Sequence, residues 1–117
     1  MKRDRMARVN RLMQTTLAEM VPSMVRDPRV SELPFVAVTA VRTDQDLCRA
    51  RVYLSIPGTP LQKAAALEAL EGARGFLRSR LGPLVKLRHT PELRFFLDDT
   101  LEKAAHIDQI LHEIHAE

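Results

Sequence analysis

PLQKAAALEALEGARGFLRSRLG, residues 60–82, is rich in Ala and Leu yet carries glycines at Gly72 and Gly75. Ala66, Leu70, Ala73, Leu77 and Leu81 recur at steps of three or four, so one apolar face continues on both sides of the glycines. Each glycine costs roughly 1 kcal/mol against alanine inside a helix. Two of them within four residues therefore predict two helices joined by a kink, with Gly72, Ala73 and Gly75 forming it. A positive φ at Gly75 would make a β-branched substitute damaging there. Arg74, Arg78 and Arg80 follow, the first two one helical turn apart. The bare amide N–H groups and the dipole at the start of a second helix favour an anion, and flanking arginines point to a phosphate. Glycines in a helical pattern also serve close packing, so this stretch alone leaves both uses open.

Upstream, Ile56-Pro57-Gly58-Thr59-Pro60 stops a strand and opens the helix, with Thr59 as N-cap and Pro60 at the first helical position. Cys48 to Ser55 alternates, with Cys48, Ala50, Val52 and Leu54 on one face and Arg49, Arg51, Tyr53 and Ser55 on the other. Phe35 to Thr43 is β-branched and apolar, and Asp44-Gln45-Asp46 supplies turn chemistry, so the two strands form an antiparallel hairpin. Before them Asp27-Pro28-Arg29 reads as a turn leading into an extended link through Ser31 and Pro34. From Arg5, residues Val9, Leu12, Met13, Thr16, Leu17, Met20 and Val21 mark the apolar face of an amphipathic helix that should end or kink near Pro22. Its other side is basic: Arg8 and Arg11 project away from the stripe, and Lys2, Arg3 and Arg5 crowd an N-terminus whose dipole they oppose.

Downstream of Gly82-Pro83, a third strand is expected from Glu92 to Leu97, with Leu93, Phe95 and Leu97 on one face. Asp99-Thr100-Leu101-Glu102 resembles a capping box that begins a last helix, about 100–114. The whole chain reads as one α+β domain, residues 1–117, with a core over about 5–98 and three strands covered by helices on one face.

Composition limits the function. No window approaches the roughly 20 apolar residues of a membrane span. The N-terminus lacks the apolar core of a secretory signal and the single Cys48 cannot form an internal disulfide, both expected of a cytoplasmic protein. Net charge is +3, but residues 1–95 hold 17 basic against 9 acidic side chains, whereas residues 96–117 hold 6 acids and Lys103 alone. A basic body with an acidic tail points to a polyanionic partner for the body.

The element order is that of a type II KH domain, and the local residues resemble the ribosome-binding factor A family. The resemblance rests on Arg8-Val9, Asp27-Pro28-Arg29, Ala50-Arg51-Val52-Tyr53-Leu54-Ser55, Ala73-Arg74-Gly75, Pro91-Glu92-Leu93 and Asp98, which span nearly the whole chain in order. In that family an Ala-x-Gly kink replaces the GxxG loop of ordinary KH domains. Ala73-Arg74-Gly75 matches it, although Gly72-Ala73-Arg74-Gly75 also spells GxxG. The resemblance implies late maturation of the small (30S) ribosomal subunit, binding to its 16S ribosomal RNA, association with free small subunits, and a link to growth in the cold. A monomer without a cofactor is expected.

Candidate RNA-contacting residues are Arg5, Arg8, Arg11, Arg74, Arg78 and Arg80, with Lys86 and Arg88 beside them. With one Tyr and four Phe, most of the latter needed for the core, phosphate contacts should outweigh base stacking. The competing reading is a protein-interaction module in which the acidic last helix docks on a partner and the arginines only solvate the body. Enzyme chemistry is not expected. Asp98-Asp99 is explained by helix capping, Cys48 by a core strand position, and His106, His112 and His115 by a solvated tail rather than a metal site. No Walker loop, dinucleotide fingerprint or zinc spacing occurs.

Overall fold

A computed structural model describes residues 2–98 and 109–114. Helix α1 (Lys2–Met24) leads through Asp27 into the one-turn α2 (Pro28–Ser31). The hairpin β1 (Ala37–Thr43) and β2 (Arg49–Ser55) follows, then α3 (Pro60–Val85) and β3 (Glu92–Leu97). The sheet order is β1-β2-β3, with β1 antiparallel and β3 parallel to β2. The parallel pair requires a crossover, and α3 supplies it.

The structure corrects the reading of residues 60–82 as two helices. Helix α3 runs unbroken through Gly72 and Gly75, and neither glycine has a positive φ. A Cβ built on either would meet nothing within 4 Å, so close packing does not explain them. The helix survives because Ala66, Leu70, Leu77 and Leu81 on its continuous face are all buried. Burying three leucines contributes roughly 1.5–3 kcal/mol each, more than the roughly 2 kcal/mol that two glycines cost.

The expected stop near Pro22 holds, since α1 ends at Met24, whereas α3 runs past Gly82-Pro83 to Val85. Pro22 and Pro83 each fall inside the last turn of their helix, where each gives up its own bond to the carbonyl four residues back and the helix ends within two residues. Helix α3 instead ends at Lys86, which is left-handed at φ 52° and returns its N–H to the Gly82 carbonyl at 3.0 Å. The turn at Asp27-Pro28-Arg29 becomes the cap and first residues of α2: the Asp27 carboxylate accepts from the Arg29 N–H at 3.0 Å.

The core lies between the helices and one sheet face. Met13 and Leu17 of α1, Val52 and Leu54 of β2, and Leu70, Leu77 and Leu81 of α3 are fully buried, with Leu93 and Phe95 of β3 against them. Leu12, Phe35 and Leu97 were expected within the apolar faces but are 47 %, 55 % and 39 % exposed. Phe35 precedes the start of β1, and Leu97 ends the edge strand. Cys48 is likewise exposed, because β2 begins one residue later and Cys48 belongs to the turn.

Two polar residues one turn apart on α1 register it against β1. Asn10 Oδ1 accepts from the Thr43 N–H at 3.1 Å and its hydroxyl at 2.8 Å. Gln14 Nε2 donates to the carbonyls of Val38 and Thr39, where the β1–β2 register shifts. Residues 109–114 are helical and exposed. The expected capping box at 99–102, together with His106 and His115, lies outside the described residues.

Candidate nucleic-acid interface

Thr59 and Gln62 close a capping box that fixes where α3 starts. Next to the buried Leu70, Glu71 turns toward β3 and its Oε1 accepts the Phe95 N–H at 3.1 Å, satisfying a donor that the edge strand would otherwise leave open. The other Glu71 oxygen holds Arg74 at 3.3 Å, and Glu92 lies 3.9 Å from the same guanidinium. Much of the charge of Arg74 is thereby answered within the chain.

Arg78, one turn further, is positioned differently. Its Nε and Nη2 donate to the Thr90 carbonyl at 3.0 and 2.8 Å, pinning the loop between α3 and β3 to the helix. Gly82 permits that approach, since a Cβ there would come within 2.7 Å of the Thr90 hydroxyl oxygen. Arg78, Arg88, His89 and Thr90 then line one open hollow of about 470 Å³ together with Gly75 and Gly82. Two cationic groups around a bare glycine give a phosphate both charge and room for close approach.

The other candidates lie elsewhere. Arg80 is about 200° around α3 from Arg78 and stacks over the Phe76 ring at 5.3 Å from its centroid. Lys86 is the exposed left-handed cap of α3. Arg5, Arg8 and Arg11 lie on the first turns of α1, with no ion pair among the described residues. The structure therefore gathers Arg78 with Arg88 and holds Arg74 in ion pairs, while Arg80 and the α1 arginines do not line that hollow.

Sequence reasoning left out the outer face of the sheet, which carries Arg42, Arg49, Arg51 and Arg94 beside Tyr53 and Phe96. The alternation of β2 was the available signal for half of it. Cys48, exposed in the hairpin turn, has its thiol pKa pushed up, first by the Asp46 carboxylate and then by partial desolvation. His112 is exposed, and no group of three metal-ligating side chains gathers among the described residues. None of the described helices is long and apolar enough to cross a membrane.

Comparison with known proteins agrees with this architecture. The family model for ribosome-binding factor A matches residues 5–111. The ribosome-binding factor A of Acetivibrio thermocellus is 35 % identical over 114 residues, covering 97 % of this chain and 91 % of that protein. Among solved structures, the crystal structure of ribosome-binding factor A from Thermus thermophilus has a TM-score of 0.68 and 29 % identity, over 79 % of this chain and 94 % of that one. A Thermus thermophilus ribosome-binding factor A homology model, fitted into a cryo-EM map of that factor's 30S complex, has a TM-score of 0.62 and 30 % identity, over 75 % and 89 % of the two chains. With a continuous match from the first turns of α1 to the helical segment beyond β3, this chain belongs to the ribosome-binding factor A family.

Proposed function

We propose that this protein binds the small ribosomal subunit through its 16S ribosomal RNA and assists late maturation of that subunit in the cytoplasm, as one non-catalytic RNA-binding domain. The observation that carries this reading is the hollow at Thr90, where Arg78 is held by two hydrogen bonds and faces the same open space as Arg88. A pre-positioned guanidinium loses less rotamer entropy on meeting a phosphate than a free one does. Support also comes from the Thermus relative, whose fold is shared and which has been placed in a 30S complex. No described cluster pairs a nucleophile with a base, and the exposed Cys48 is held toward its thiol form by Asp46, so a binding role needs nothing the site lacks.

Sedimentation of the purified protein with free small subunits through a gradient tests the proposal. Co-migration is expected, with the affinity falling by a log–log salt slope of roughly −0.7 to −0.9 per neutralised phosphate. Failure to co-migrate at low salt would overturn it.

A further inference from the structure

The sheet has one face against the helices and one face turned away. On the outward face the register aligns Arg42 with Arg51 and Arg51 with Arg94, a row of three arginines crossing all three strands over about 10 Å. Arg49 adds a fourth cation on the same face of β2. Of the acids near them, Glu92 pairs with Arg94 at 3.0 Å, and Asp98 past the end of β3 accepts from the Thr39 hydroxyl at 2.6 Å. Arg42, Arg49 and Arg51 have no ion pair among the described residues. Like charges placed directly opposite one another destabilise a sheet, so the row works against the fold that carries it.

Next to the row, Tyr53 pairs with Phe96 in the register, their ring centroids 5.7 Å apart at 31°, and Phe96 is 43 % exposed. A large aromatic ring left half in water beside a row of guanidinium groups does not serve the core, which lies on the other side of the strands. It offers a surface on which a base can stack, while the arginines meet the flanking phosphates.

We propose that this outward sheet face is a second RNA-contacting surface, distinct from the hollow at Thr90, and that it takes a short single-stranded segment. Phosphates lie along Arg42, Arg51 and Arg94, and a base stacks on Phe96 and Tyr53. The inference rests on the ribosomal-RNA reading above but adds a separate site and a strand type. A duplex would present only its backbone and leave the aromatic pair unused.

Tyr53 is the sole tyrosine and the chain has no tryptophan, so intrinsic emission reports on this face alone. Titrating the full chain with a short oligouridylate, with emission corrected for absorption by the oligonucleotide, should quench Tyr53 saturably. The variant carrying Arg42→Gln, Arg51→Gln and Arg94→Gln should melt no lower than the parent while its salt slope for the oligouridylate shrinks by about 2, the share of three phosphates on a single strand. Phe96→Ala should weaken oligouridylate binding without changing that slope. Unchanged Tyr53 emission at saturating oligouridylate, from protein that still co-sediments with small subunits, would overturn this surface and leave the subunit-binding reading standing. Equal quenching by a poly-glutamate peptide would make the face a docking site for acidic protein instead, and would also overturn it. Loss of co-sedimentation alone, with Tyr53 still quenched by the oligouridylate, would overturn the subunit reading but support the sheet face.

Discussion

Replacing Gly72 and Gly75 together by alanine separates what the glycines do for the fold from what they do for binding. Both sit in helical backbone with open space where a Cβ would go, so the methyl groups meet no obstacle. Each change should then recover the helix propensity lost by glycine, about 0.8–1.0 kcal/mol, or nearly 2 kcal/mol for the pair. For a domain of this length that corresponds to a rise in Tm on the order of 8 °C. Circular dichroism of the parent and the double variant, melted side by side, reads the difference directly. Small-subunit affinity should move the other way and fall several-fold, because Gly75 borders the hollow shared by Arg78 and Arg88 and a methyl there pushes a phosphate outward. A fall in Tm would refute the continuous helix and restore two helices with a bend. A rise in Tm with undiminished affinity would refute the role of bare Gly75 in binding. The same geometry removes the expectation that Gly75→Val damages the fold. Valine trades a slightly better propensity than glycine for χ1 stiffness, and the Tm should stay within a few degrees.

Three further outcomes are expected. Arg78→Gln with Arg88→Gln should weaken co-sedimentation with small subunits and lower the salt slope by about 1.5, whereas Arg74→Gln, whose parent charge already faces Glu71 and Glu92, should do much less. The Cys48 thiol is raised chiefly by Asp46, so its iodoacetamide reaction at neutral pH should be slower than that of a free cysteine despite its exposure, and Asp46→Asn should speed it. The Asp27 pKa is lowered, first by the Arg29 side-chain hydrogen bond, so what this carboxylate contributes to stability is present above its unfolded pKa and lost as pH falls through the lowered folded value. NMR titration of Arg29→Gln should show the Asp27 value move upward, and no movement would refute the pairing.

How far the sequence revealed this protein depends on whether each feature is local or arises from register. The limits of β3, the alternation of β2 and the Thr59 cap are set by neighbouring residues, and they were legible. Propensity per residue points to a helix pair because it carries nothing about the burial of Leu70, Leu77 and Leu81, which outweighs it. The one-turn α2 has no periodicity for a pattern to detect, and Leu47 at φ 59° in the hairpin turn replaces the Asn or Gly that would have announced a left-handed residue.

The candidate sites divide in the same way. Arg74 and Arg78 stand one turn apart and look equivalent in sequence, yet the first meets carboxylates at positions 71 and 92 and the second meets a carbonyl at 90. That difference comes from which residues of the loop and of β3 the crossover brings beside each turn of α3. On the open sheet face, Arg51 is an ordinary polar position of an alternating strand until pairing sets Arg42 on one side of it and Arg94 on the other. A one-residue slip of β3 would place Phe95 in the arginine row and turn Arg94 into the core, where an unpaired guanidinium costs several kcal/mol. The register that buries Leu93 and Phe95 is therefore the same constraint that assembles the basic row, and the cost of like charges facing one another is met by the core behind them.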